Sequence, residues 1–104
     1  MALRNNVTGT ANLTSKLLSA GDKINSITSI LITNTHASAS AVVDLFIDNN
    51  VEGAFYIIKN VTIPFGVSVA LTDNVKFDNT KSGFDLYIKV AASTSTLDVL
   101  IKNN

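Results

Sequence analysis

Histidine occurs once in this 104-residue chain, at His36, and cysteine does not occur at all. A zinc site needs about three or four ligands, so a lone histidine in the small-residue turn Thr35-His36-Ala37 cannot build one. The missing cysteine also removes disulfide staples and thiol nucleophiles. A Ser-His-Asp triad assembles only in space, but no serine here stands in a Gly-x-Ser-x-Gly elbow. The five glycines, Gly9, Gly21, Gly53, Gly66 and Gly83, are isolated turn residues rather than a loop that cradles phosphate. Asp44 and Asp48 share the outward phase of one alternating run, with Phe46 between them. Calcium takes roughly six to eight oxygens, usually from one compact loop. Carboxylates four residues apart on a strand are ~13 Å apart at ~3.3 Å per residue, so this pair solvates a face rather than holding an ion. These residues therefore predict no catalytic site, no metal and no cofactor, and the chain reads as non-enzymatic.

The elements that carry these residues are strands. Phe84-Asp85-Leu86-Tyr87-Ile88-Lys89-Val90 and Leu97-Asp98-Val99-Leu100-Ile101-Lys102 alternate apolar and polar with the period of two that marks a half-buried strand. Lys23 to Thr35 is dense in β-branched residues, which suit a pleated surface better than a helix. Val42 to Asp48 alternates and ends in the turn Asp48-Asn49-Asn50. Ala54 to Lys59, with Phe55 and Ile57 toward the core, leads through Asn60 to Ile63 into Pro64, which must lie at a strand end or an edge because it donates no ladder hydrogen bond. Val67 to Leu71 is a further strand, Thr72-Asp73-Asn74 turns, and Val75 to Phe77 is short. Residues 1–22 are polar, with one apolar knot at Leu13, Leu17 and Leu18, and read as an extended N-terminal arm with one short strand. Residues 23–104 form the main domain. About eight closely spaced strands predict an all-β, antiparallel β-sandwich, jelly-roll or Ig-like, with a core including Ile30, Ile32, Val43, Leu45, Ile57, Val69, Leu86, Ile88, Val99 and Ile101. Asp85 points outward in this phase, so its replacement by alanine is expected to cost little.

A chain of this length supports one core. Only 15% of its residues are charged, and eight cations balance eight anions. Asn, Ser and Thr take the place of charges, 12 of the first and 21 of the other two together. Such a surface solvates the protein without repelling a neighbouring copy, and it lacks the clustered cations that bind a phosphate backbone, so nucleic acid is not an expected partner. No apolar run approaches the ~20 residues of a membrane span and the N-terminus lacks a signal-peptide core, so neither membrane nor secretion is expected. The outward phase of the strands is nevertheless less polar than a free monomer needs. Leu31, Phe46, Tyr56, Ile58, Tyr87 and Leu100 all fall there, and they are the candidate interface, either for a partner or for cover by the arm.

The order of motifs carries a resemblance. Ile30-Leu31-Ile32-Thr33-Asn34-Thr35, Val43-Asp44-Leu45-Phe46-Ile47, Phe55-Tyr56-Ile57-Ile58-Lys59, Ile63-Pro64-Phe65-Gly66 and Leu97-Asp98-Val99-Leu100-Ile101 follow one another as in a loose family of small tailed-bacteriophage virion proteins. The resemblance covers about residues 23–102 and contains no site motif. It implies a structural accessory of the virion, made in the host bacterial cytoplasm and forming homo-oligomers. The expected role is a head decoration (cement) protein bound to the major capsid protein or other virion proteins. The alternative is a neck, tail or fibre component, including a carbohydrate-binding module at a fibre tip, although a chain with no tryptophan offers few stacking platforms for sugars.

Overall fold

The computed structural model describes residues 2–10, 13–22, 24, 26–49, 51–72, 75–91 and 94–103. Among these residues nine strands follow in chain order: β1 (Ala2–Thr10), β2 (Leu13–Leu18), β3 (Ser26–Asn34), β4 (Ala41–Asn49), β5 (Gly53–Ile63), β6 (Ser68–Leu71), β7 (Val75–Lys76), β8 (Asp85–Ala91) and β9 (Thr94–Asn103). Lys23, Asn50, Asp73 and Asn74, which belong to the expected strand start and turns, lie outside the described residues.

The pairings are nested. β4 pairs with β5, β3 with β6 and β7, β2 with β8, and β1 with β9, all antiparallel, as in one long hairpin. Rolling that hairpin up adds two further antiparallel pairs, β3 with β9 and β4 with β8. The result is two sheets, one ordered β1-β9-β3-β6 with β7 also on β3, the other β2-β8-β4-β5. This is a jelly roll, one of the two sandwich topologies that the strand pattern allows.

The described N-terminal residues hold two strands, β1 and β2, where the sequence suggests one. Both are laid along the sandwich: β1 runs beside β9 from Ala2 opposite Lys102 to Thr10 opposite Thr94, and β2 runs beside β8. The physical reason is that a ladder is made by backbone N–H and C=O groups, so a Thr- and Asn-rich stretch without apolar alternation pairs as well as any other.

Between the sheets, Ile30, Ile32, Val43, Leu45, Leu86, Ile88, Val99 and Ile101 are fully buried, as their phase predicts. Ile57 and Val69 pack against this core half-buried. Ile27, Ile63, Val90 and Leu97 complete its interior, and Leu17 and Leu18 of β2 close one side. Two buried asparagines pin the loops at opposite ends of β3. Asn34 donates its side-chain amide to the carbonyls of Ala39 and Ile63 and accepts the His36 N–H. Asn79 accepts the Ile24 N–H and donates to the carbonyls of Ser19 and Phe84.

Candidate functional site

The outer face of the β2-β8-β4-β5 sheet carries a row of side chains set by strand register. Lys16 stands opposite Tyr87, Tyr87 opposite Phe46, and Phe46 opposite Tyr56, so one residue from each of the four strands falls in line. The Phe46 ring lies 5.4 Å from that of Tyr87, stacked, and 5.1 Å from that of Tyr56, tilted. Both distances lie in the attractive range for aromatic pairs. Phe46 is thereby covered to 8% exposure, although it points away from the core, while Tyr56 remains 48% exposed. Cations bracket the row. The Lys59 ammonium sits 4.8 Å from the centre of the Tyr56 ring and that of Lys16 sits 5.7 Å from the centre of Tyr87, both within reach of the ring quadrupole.

Two bulges in β5 put Tyr56 in this row. Between Val43 and Leu45 of β4, and again between Leu45 and Phe46, the β5 partner advances by one extra residue. The second bulge brings Tyr56 rather than Ile57 opposite Phe46, and Ile57 turns to line a cleft of about 270 Å³ with Ala70, Leu71, Thr72 and Val75. The first is fixed at Asn60, whose left-handed backbone (φ 55°) is held by its N–H donating to Asp44 Oδ1 at 2.6 Å.

The six candidate interface residues do not converge on one surface. Phe46, Tyr56 and Tyr87 come together in the row. Leu31 and Leu100 are register partners in the other sheet, where Leu100 is 41% exposed. Ile58 packs half-buried against the core, because it pairs with the buried Leu45. Phe55, expected to face the core, lies opposite Ile47 but is half-exposed, its ring set edge-on against Phe84. Asp85 is outward but not idle: it accepts the Ala20 N–H at 2.6 Å and pairs with Lys16 at 3.7 Å, tying the end of β2 to β8. The small cost expected for its loss is therefore corrected upward, since truncation would leave a part-buried N–H without its acceptor. Lys16 and Lys59 escape sequence reasoning altogether. Their only signal is a cation within one or three residues of an apolar or aromatic run, and that is too common to select them.

The rest of the surface offers little chemistry. His36 Nδ1 accepts the N–H groups of Ser38 and Ala39, so the imidazole organises its own loop. Among the described residues no group of three His, Cys, Asp or Glu side chains could hold a metal. A shallow cleft of about 250 Å³ is lined by Asn49, Glu52, Asp78, Ser82 and Phe84, among others. The Thr80 hydroxyl and N–H hold the Asp78 carboxyl there below the usual carboxylate range. Among the described residues no helix is long and apolar enough to cross a membrane.

No protein-family model matches the sequence, and no curated protein sequence does. Solved structures do match in shape. A structure of infectious bursal disease virus, Gx strain, is 11% identical with a TM-score of 0.50 and covers 100% of this chain and 34% of its own. The crystal structure of the VP2 subviral particle of the same virus is 12% identical with a TM-score of 0.49, covering 98% of this chain and 33% of its own. This chain thus spans about a third of the length of the chains it matches. At such identity the likeness is one of fold: the β-sandwich is shared with a chain of the infectious bursal disease virus structure.

Proposed function

We propose that this chain is a non-enzymatic structural subunit of a virus particle, and specifically a decoration protein of the tailed-bacteriophage type that seats on the capsid lattice by the outer face of its β2-β8-β4-β5 sheet. The observation that carries this reading is the row Lys16-Tyr87-Phe46-Tyr56. Aromatic side chains enriched at interfaces occupy the middle of a sheet face, flanked along the strands by Asp44 and Lys89 on one side and Asp48 and Asp85 on the other. An apolar centre with a charged rim is how a contact surface differs from a merely solvated one. The virus-particle fold and the charge-poor, neutral composition support the same conclusion.

The test is to replace Tyr56 and Tyr87 by serine, separately and together, and to measure binding to particles that lack this protein. Each single change is expected to weaken binding at least about fivefold, as loss of an interface aromatic costs upward of ~1 kcal/mol. Melting temperature checks that the variants fold. Folded variants that bind as tightly as the parent would remove this face from the contact.

A further inference from the structure

Each sheet of the sandwich has two edges, and three of the four are blunted. β5 carries two bulges and a left-handed residue at Asn60. β2 is six residues long, holds Lys16 and shifts register between Lys16 and Leu18. The edge beside β3 is broken into β6 and β7, four and two residues long. Bulges, lysines and shortness are the features by which sheets discourage the addition of another strand. β1 has none of them. It pairs with β9 over nine consecutive residues with no register shift. Its sequence, Ala-Leu-Arg-Asn-Asn-Val-Thr-Gly-Thr, contains no proline and no lysine and has a single charge, at Arg4. Its outer side therefore offers an unbroken series of backbone donors and acceptors, which is the chemistry that recognises an incoming strand.

We propose that β1 is an assembly edge and that its occupant is the β1 strand of a second copy of this chain, antiparallel, so that two five-stranded sheets become one continuous sheet. Self-pairing suits this strand. Full overlap of Ala2–Thr10 with itself centres the pair on Asn6 and sets Arg4 opposite Thr8 of the partner subunit, so the only charge never meets its own kind. A net charge of zero adds no long-range repulsion between copies. This surface is separate from the aromatic face, so a subunit could join a neighbour through β1 and seat on a lattice through the row.

The chain has no cysteine, so a single introduced cysteine reports on its own position. The experiment compares oxidative cross-linking of Asn6→Cys, Arg4→Cys, Thr8→Cys, Tyr56→Cys and Val51→Cys, with sedimentation of the parent over a range of concentrations. Val51, 91% exposed beyond the end of β4, gives the collisional background. The parent is expected to form dimers, and Asn6→Cys to cross-link well above background. Arg4→Cys should not cross-link to itself, since four residues of strand hold the two sites more than ~13 Å apart, beyond the ~7 Å limit of a disulfide. Arg4→Cys mixed with Thr8→Cys should. Equal melting temperatures show that the variants retain the parent fold. A monomeric parent, cross-linking of Asn6→Cys at the Val51→Cys level, or a maximum at Tyr56→Cys would each overturn the proposal. The Tyr56 and Tyr87 serine variants change particle binding without changing this pattern, so the two readings fail independently.

Discussion

At the scale of single residues, the chain is organised by amides rather than by charges. Asn79 is fully buried and satisfied in every direction: its Oδ1 takes the Ile24 N–H, its Nδ2 serves the Ser19 and Phe84 carbonyls, and its own carbonyl accepts the Gly21 N–H. Gly83, close by, has no room for even a methyl group, since a Cβ would stand 2.2 Å from the Asp78 carbonyl oxygen. Asn79→Ala should therefore destabilise by about 3 kcal/mol or more, because a buried N–H and two carbonyls lose their partner at ~1–3 kcal/mol each. Chemical denaturation gives the number, and a loss below about 1 kcal/mol would mean that water replaces the amide. Nothing in the sequence marks this residue. It is one of 12 asparagines, most in turn-like contexts, and only the folded loops reveal that Asn34 and Asn79 are the two that hold the ends.

Among the elements, strands with clean alternation were legible and β5, with its two bulges, was not. β4, β8 and β9 place their apolar phase inward as expected, because a period of two survives wherever the ladder is regular. β5 breaks that rule. Each extra residue shifts the face of everything beyond it, and no local composition announces where the shift falls. The Asp44 carboxylate that grips Asn60 is the device that locates the first shift. Asp44→Ala is expected to cost about 1 kcal/mol, the lower end for a bond to a charged group at a part-exposed site. It should also reduce the near-ultraviolet circular dichroism of the tyrosines as Tyr56 loses its fixed place against Phe46. An unchanged tyrosine signal would show that register is held by the rest of the sheet. The aromatic row was legible only in part: the outward phase selects Phe46, Tyr56 and Tyr87, whereas their separation from Leu31 and Leu100 depends on which strands share a sheet.

For the whole molecule, the sandwich rests on one core whose centre includes Ile88, paired with Leu45 on one side and Ser15 on the other. Ile88→Asp should abolish folding, since an unpaired buried charge costs several kcal/mol against a total stability of ~5–15 kcal/mol. A variant that still melted cooperatively would mean that β8 can slip its register. The all-β class was legible from strand count and spacing, but the choice of the jelly roll was not, because strand order is set by pairings between residues far apart in the chain. Those pairings also govern how the protein comes into being. β9 lies between β1 and β3, and β8 between β2 and β4, so the inner strands of both sheets are synthesised after the strands they join. At roughly 5–20 residues per second, ribosomal elongation leaves β1 without its neighbour for about 5–20 s. Neither sheet can close on a nascent chain until β8 and β9 have cleared the exit tunnel, and for that interval the strand most open to pairing waits without its partner.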